Sequence, residues 1–139
     1  MSIPDGGYAP HPDGRPDPGE VCWGWVPYED DPTRGKDRPV LVIGTEPDPT
    51  TGTQKGTDST LLHCLVLTSK DHDRDAAQEA RAGRFWMDVG TGAWDAQHRP
   101  SEVRLNRLVV LRADAVRREG AALPRDVYDA VLAARAPYA

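Results

Sequence analysis

Residues 18–44 read PGEVCWGWVPYEDDPTRGKDRPVLVIG, and no other stretch constrains the fold as much. Two apolar runs, residues 21–26 and 40–43, flank a polar segment, residues 28–37, that carries Pro32, Gly35 and charges of both signs. Apolar runs bounded by turn formers in this way predict two strands joined by a long exposed loop. Pro39 fixes its own φ and drives Arg38 into an extended conformation, so the guanidinium is expected at a strand entrance and not on a loop tip. Along the first strand a period of two puts Trp23 and Trp25 on one face and Cys22, Gly24 and Val26 on the other. Both indoles are expected in the core, where large aromatics contribute most; base stacking is the alternative reading. Gly24 inside a strand marks a close backbone approach or a bulge.

The 139 residues suit one domain with a modest core. Nine Pro and Gly in residues 1–19 leave too little apolar surface to offset ordering entropy, so residues 1–18 are expected as a disordered or loosely ordered tail and 19–139 as the domain. Hydrophobic residues make up 38% and aromatics 6%, which calls for a core of Val, Leu and Ala. Residues 45–60 are a polar hairpin tip. Residues 61–68 form a strand with Leu62, Cys64, Val66 and Thr68 on one face and His63, Leu65 and Leu67 on the other, His63 being a core histidine. Residues 69–84 make a charged loop in which Asp75 caps a short helix over 76–82, stopped by Gly83. Residues 85–89 and 93–95 flank a Gly90-Thr91-Gly92 hairpin turn. Residues 103–111 give one or two strands interrupted near Asn106-Arg107, and Asp114 caps a turn through Arg118 that Gly120 ends. Pro124 opens a terminal helix to Arg135 with Val127, Val131 and Ala134 on one stripe. The fold class is mainly β, a small, strongly bent sheet with short helices and a C-terminal helix.

The net charge is −5 and the pI about 5.3, which argues against an obligate, non-specific nucleic-acid binder. The acidity is uneven: residues 1–60 hold 5 Lys and Arg against 11 Asp and Glu, residues 61–139 hold 12 against 11. Six arginines fall between Arg99 and Arg118, so a positive groove remains available. No run of 18 apolar residues is present, and the N-terminus has neither a basic start nor an apolar centre, so no membrane span or secretory signal is expected and the protein is placed in the cytoplasm. Cys22 and Cys64 lie in apolar strand candidates without CxxC spacing and are expected as buried, reduced thiols.

The order PGEV-x-W, polar loop, G-x-x-RPVLVIG and an apolar run ending in Leu67-Thr68-Ser69 resembles the PemK/MazF family of toxin ribonucleases, in an actinobacterial-looking branch. The resemblance implies an SH3-like barrel of the CcdB/PemK type. It also implies a sequence-specific, metal-independent endoribonuclease that needs no cofactor and cleaves single-stranded RNA by attack of the 2′-hydroxyl, leaving a 2′,3′-cyclic phosphate. Members are homodimers inhibited by a small antitoxin whose segment occupies the RNA groove. Arg38 matches the family's catalytic arginine; Thr68, with Ser69 beside it, matches the hydroxyl residue at the end of the following strand. A planar guanidinium matches two oxygens of a pentacoordinate phosphorane at once, which is why an arginine suits this step.

Arg34, Lys36 and Lys70 bracket that pair and are expected to contact RNA phosphates, with Arg104, Arg107 and Arg112 extending the track. His72 is a further RNA-binding candidate, since imidazole titrates near neutrality; it stands between Asp71 and Asp73 on a charged loop, and a solvated charge run competes as its reading. The spacing of Asp71, Asp73 and Asp75 lacks the Gly and Glu of a calcium loop, so no metal site is expected. Asn106-Arg107 departs from the acid-Gln pair that the family often carries, and Glu29, Asp30 and Asp31 make the first loop unusually acidic, which should slow RNA entry. These departures keep an alternative open: a non-catalytic barrel that binds a protein, DNA gyrase in the CcdB manner, or an inactive regulatory paralogue.

Overall fold

A computed structural model of the chain describes residues 16–47, 60–69 and 81–138. These form six strands, β1 (Glu20–Pro27), β2 (Gly35–Pro47), β3 (Thr60–Thr68), β4 (Trp86–Gly90), β5 (Ser101–Arg112) and β6 (Val116–Ala122), then helix α1 (Arg125–Arg135). All neighbouring strands are antiparallel, in the order β4-β5-β3-β2-β1-β6. The architecture is mainly β with one C-terminal helix, as expected.

Connectivity makes this sheet curl. Only the 3₁₀ turn Ala113–Ala115 separates β5 from β6, and four residue steps reach about 14 Å at full extension. Yet β3, β2 and β1 lie between those strands in the sheet, and four spacings in a flat sheet would come to about 19 Å. The sheet therefore bends until its β5 and β6 sides approach, giving a small barrel-like body.

Strand parity then divides the core. Cys22, Val26, Val40, Val42, Leu62, Cys64, Val66 and Val109 pack together with Ala113 inside the curl. A Cβ on Gly24 would come within 3.0 Å of Val116 and 3.4 Å of Leu111, so this glycine is the close approach that lets β1 meet β5 and β6. The opposite faces, Val21, Leu41, Ile43, Leu65, Leu67 and Val103, pack with Tyr128 and Val131 of α1. The parity expected of β3 holds. Cys22 and Cys64 are fully buried thiols not joined in a disulfide, and burial, with Cys22 adding, pushes the Cys64 thiol up. His63 is buried and paired with Glu46 at 2.9 Å.

Helix α1 begins at Arg125, with Pro124 at its cap, and Asp126 in the first turn and Arg135 in the last complement the helix dipole. Val131 of the expected stripe is fully buried, and the largest buried side chain of the helix is Tyr128, outside that stripe, with 1% of its surface exposed and its hydroxyl 3.5 Å from the Ile43 carbonyl oxygen. Burial, reinforced by the charge of Asp129, pushes the phenol from 10.0 up to about 12. Because the folded value is the higher one, the unfolded chain ionises first as pH rises. The stabilisation is whole below about pH 10 and is lost as pH climbs towards about 12. Urea midpoints across that window are expected to fall more steeply in wild type than in Tyr128→Phe.

The structure corrects several local expectations. Trp25 is not core: it is 51% exposed, and Trp23 is half-buried, its Nε1 donating to the Trp94 carbonyl at 2.7 Å. An aromatic reaches the core only where a second layer covers its face, and that layer takes Val21 from this side of β1. Residues 93–95 are not a strand. Asp95 accepts from the Gln97 N–H at 2.9 Å and from Arg99 at 2.8 Å, which closes a turn, and β4 pairs with β5 instead. Residues 116–122 extend as a strand because β1 offers them a partner, with Arg118 bidentate on Glu20 at 2.7 and 2.8 Å. The tail before Pro16, residues 48–59 of the hairpin tip and residues 76–80 of the expected helix lie outside the described residues.

Candidate active site

The interior rows of β2 and β3 run out at one end of the barrel. Val40 pairs with Val66 across these strands. Two residues further along each strand, in the same register and therefore on the same face, stand Arg38 and Thr68. Both open into a cleft of about 640 Å³, joined there by Ser69 and Lys36. Arg84, Trp86, Arg104 and Arg107 line it too, with Pro27, Tyr28, Glu29 and Asp30 from the end of β1 and the loop after it. The described lining thus carries five cations against two carboxylates, although the chain as a whole is acidic.

Arg38 is half-buried, and among the described residues nothing hydrogen-bonds or ion-pairs with its guanidinium. Burial pushes its pKa down and the nearby charge of Arg107 does the same, while Tyr28 opposes them. Arg104 is the reverse case. Its side chain is 6% exposed and fully engaged: Nη1 and Nη2 donate to the two Glu29 carboxylate oxygens at 3.1 and 3.0 Å, and Nε to Asn106 Oδ1 at 2.6 Å. The guanidinium carbon also lies 5.8 Å from the centroid of the Trp86 ring. The hydrogen bond to Arg104 holds the Glu29 carboxyl below the usual carboxylate range.

Arg104 and Arg107 are three apart, an odd spacing that regular β structure would send to opposite faces. They share the cleft because β5 is irregular there: Leu65 pairs with Leu108 but Leu67 with Val103, so three extra residues bulge from β5. The interruption expected near Asn106-Arg107 is this bulge. Asn106 stabilises it, accepting from the Phe85 N–H at 3.2 Å and donating to the Gly83 carbonyl, while Arg107 donates to the Pro27 carbonyl at 2.7 Å. The departure from the acid-Gln pair is thus filled by a side chain that ties β5 to the approach to β4 and by one more cation.

A model of the PemK-like, MazF-like toxins of type II toxin-antitoxin systems matches residues 17–136. The chain belongs to this family. No curated protein sequence matches it. Among solved structures, this toxin is similar in fold to a chain of the crystal structure of MazE-MazF (Form-II) from Deinococcus radiodurans, with a TM-score of 0.51 and 18% identity. That alignment covers 88% of this toxin and 93% of the other chain.

Of the residues singled out in the toxin's sequence, Arg38, Thr68, Ser69, Lys36, Arg104 and Arg107 meet in the cleft. Arg34 does not line it; its backbone closes the β1–β2 loop, accepting from the Tyr28 N–H at 2.8 Å and donating to the Asp31 carbonyl at 3.0 Å. Arg112 is bidentate on Asp114 at 3.0 and 2.8 Å, away from the cleft. Lys70 and His72 lie outside the described residues. Sequence reasoning missed Tyr28, Arg84 and Trp86. Only the GRFW run of residues 83–86, a cation and aromatics entering a strand, hinted at the last two.

Proposed function

We propose that this toxin is a metal-independent endoribonuclease that cuts single-stranded RNA at a short sequence. The observation that carries the reading is the juxtaposition of an uncommitted arginine, Arg38, with the hydroxyl of Thr68 at the mouth of a cationic cleft. The RNA brings its own nucleophile, so the protein has four tasks: to orient the 2′-hydroxyl, accept its proton, stabilise the phosphorane and protonate the departing 5′-oxygen. Thr68 and Ser69 hold the scissile phosphate and the 2′-hydroxyl in line, and the proton leaving that hydroxyl passes to water in the open cleft. Arg38 stabilises the charge that develops on the phosphorane, and its depressed pKa is the direction a proton donor needs. Lys36, Arg84, Arg104 and Arg107 contact flanking phosphates, and Trp86 offers a ring on which a base can stack.

The toxin acts as a homodimer in the cytoplasm, and a small antitoxin places an acidic segment in the same cleft. The five lining cations suit such a segment as well as they suit RNA. The test is to incubate the purified toxin with a long RNA in EDTA and to characterise the new ends. Discrete fragments with 2′,3′-cyclic phosphate and 5′-hydroxyl ends are expected; an intact RNA, or fragments ending in 5′-phosphate, would refute the assignment.

A further inference from the structure

The Glu29 carboxylate stands where the chemistry of the cleft calls for a phosphate. Two parallel N–H donors of Arg104 converge on its two oxygens at 3.0 and 3.1 Å, a fork that fits two phosphate oxygens equally well. The two partners are unequally buried: the Arg104 side chain is 6% exposed, that of Glu29 52%. Asn106 and Trp86 fix the cation in place, while the anion arrives on a loop that solvent reaches. The loop is folded on itself. Asp31 accepts from the Thr33 hydroxyl at 2.6 Å, Tyr28 N–H donates to the Arg34 carbonyl at 2.8 Å, and Arg107 clasps the Pro27 carbonyl at its root. Its only ion pair to the cleft wall among the described residues is Glu29 with Arg104.

We infer that Arg104 is a second phosphate subsite beside the scissile position, that Glu29 is its internal occupant, and that a single strand enters by exchanging this carboxylate for a backbone phosphate. The inference rests on the endoribonuclease reading for the identity of the strand, but the exchange itself needs no cleavage. The loop is then a latch whose release is coupled to binding. Part of the affinity of Arg104 for nucleic acid is spent in displacing Glu29, and the closed state excludes anions too weak to compete.

The probe is an all-2′-deoxy single-stranded oligonucleotide, which offers phosphates and bases but no 2′-hydroxyl, so the protein cannot cut it by this chemistry. Affinities of wild type, Glu29→Gln and Asp30→Asn are measured at one salt concentration. Asp30 lines the same cleft, and the two substitutions remove equal charge. Glu29→Gln is expected to bind roughly 10-fold tighter than wild type and Asp30→Asn no more than about 2-fold tighter, since only the first frees a bidentate site. An equal gain in both would reduce Glu29 to a contributor to the general field and overturn the latch, as would no gain in Glu29→Gln or no binding by any of the three. Should Glu29→Gln not fold, hydrogen exchange of residues 28–34 in wild type decides: it must accelerate when the oligonucleotide binds, and unchanged or slower exchange refutes the exchange mechanism. A toxin that binds in this pattern yet leaves RNA intact in EDTA would keep the subsite and lose the enzyme.

Discussion

Replacing Arg38 by Ala is expected to slow single-turnover cleavage of RNA by about 10²–10³-fold, the usual cost of removing one preorganised donor from a transition state that develops charge. The fold should be untouched. Arg38 is half-buried at the barrel mouth, and among the described residues nothing hydrogen-bonds or ion-pairs with its guanidinium, so its loss orphans no partner. Arg38→Lys keeps the charge but not the planar fork, and should recover only a small part of the rate. Rates are read in EDTA with enzyme in excess, alongside thermal melts of each variant. A folded Arg38→Ala protein that cuts as fast as wild type would remove Arg38 from the chemistry. A variant that binds the deoxy-oligonucleotide normally while cutting slowly would place its contribution in the transition state and not in affinity.

Tyr128→Ala is expected to cost about 3–5 kcal/mol of stability, in the range for large aromatics removed from a core. The ring is 1% exposed and joins α1 to Val21, Leu41, Ile43 and Leu65 on the outer face of the sheet. Emptying its site leaves α1 held by Val131, with Val127, Leu132 and Ala134 packed beside it. For a domain of 139 residues the melting temperature should fall by roughly 10 °C or more. Urea denaturation followed by tryptophan emission measures this. Since α1 packs on the face of the sheet opposite to the Arg38 row, the folded fraction should retain its cleavage rate at low temperature. A loss below 1 kcal/mol would mean that the site collapses readily around the missing ring.

The local part of this architecture was legible. Alternation in residues 20–27 and 61–68, with the Arg38-Pro39 step, anticipated three strands and, for the first and third, the faces of their side chains, because period two depends only on the backbone of the strand itself. The elements misread were those whose state depends on a distant partner. Residues 116–122 carry turn-like composition and extend only because β1 is available on their flank; residues 93–95 look like a strand and form a turn because β5 takes β4 instead. Trp25 failed as a core residue for the same kind of reason: the pattern shows which face an indole takes, but not whether a helix lies over it.

The sequence by itself determined that Thr68 ends a buried strand on the face of Leu62, Cys64 and Val66, that Arg38 is extended beside the apolar run 40–43, and that the chain is read as a member of its toxin family; β2 in fact starts three residues earlier, at Gly35. Tertiary structure alone decided that these strands pair in the register Val40 to Val66, which brings the two residues to one mouth. It also decided that a bulge in β5 turns both Arg104 and Arg107 inward and that Glu29 reaches across to the first of them. The physical reason is range. Facing follows from dihedral angles within a few residues, whereas the partners of Arg104 lie 75 positions away at Glu29 and opposite it at Trp86 on another strand, and the closing of the barrel sets those distances.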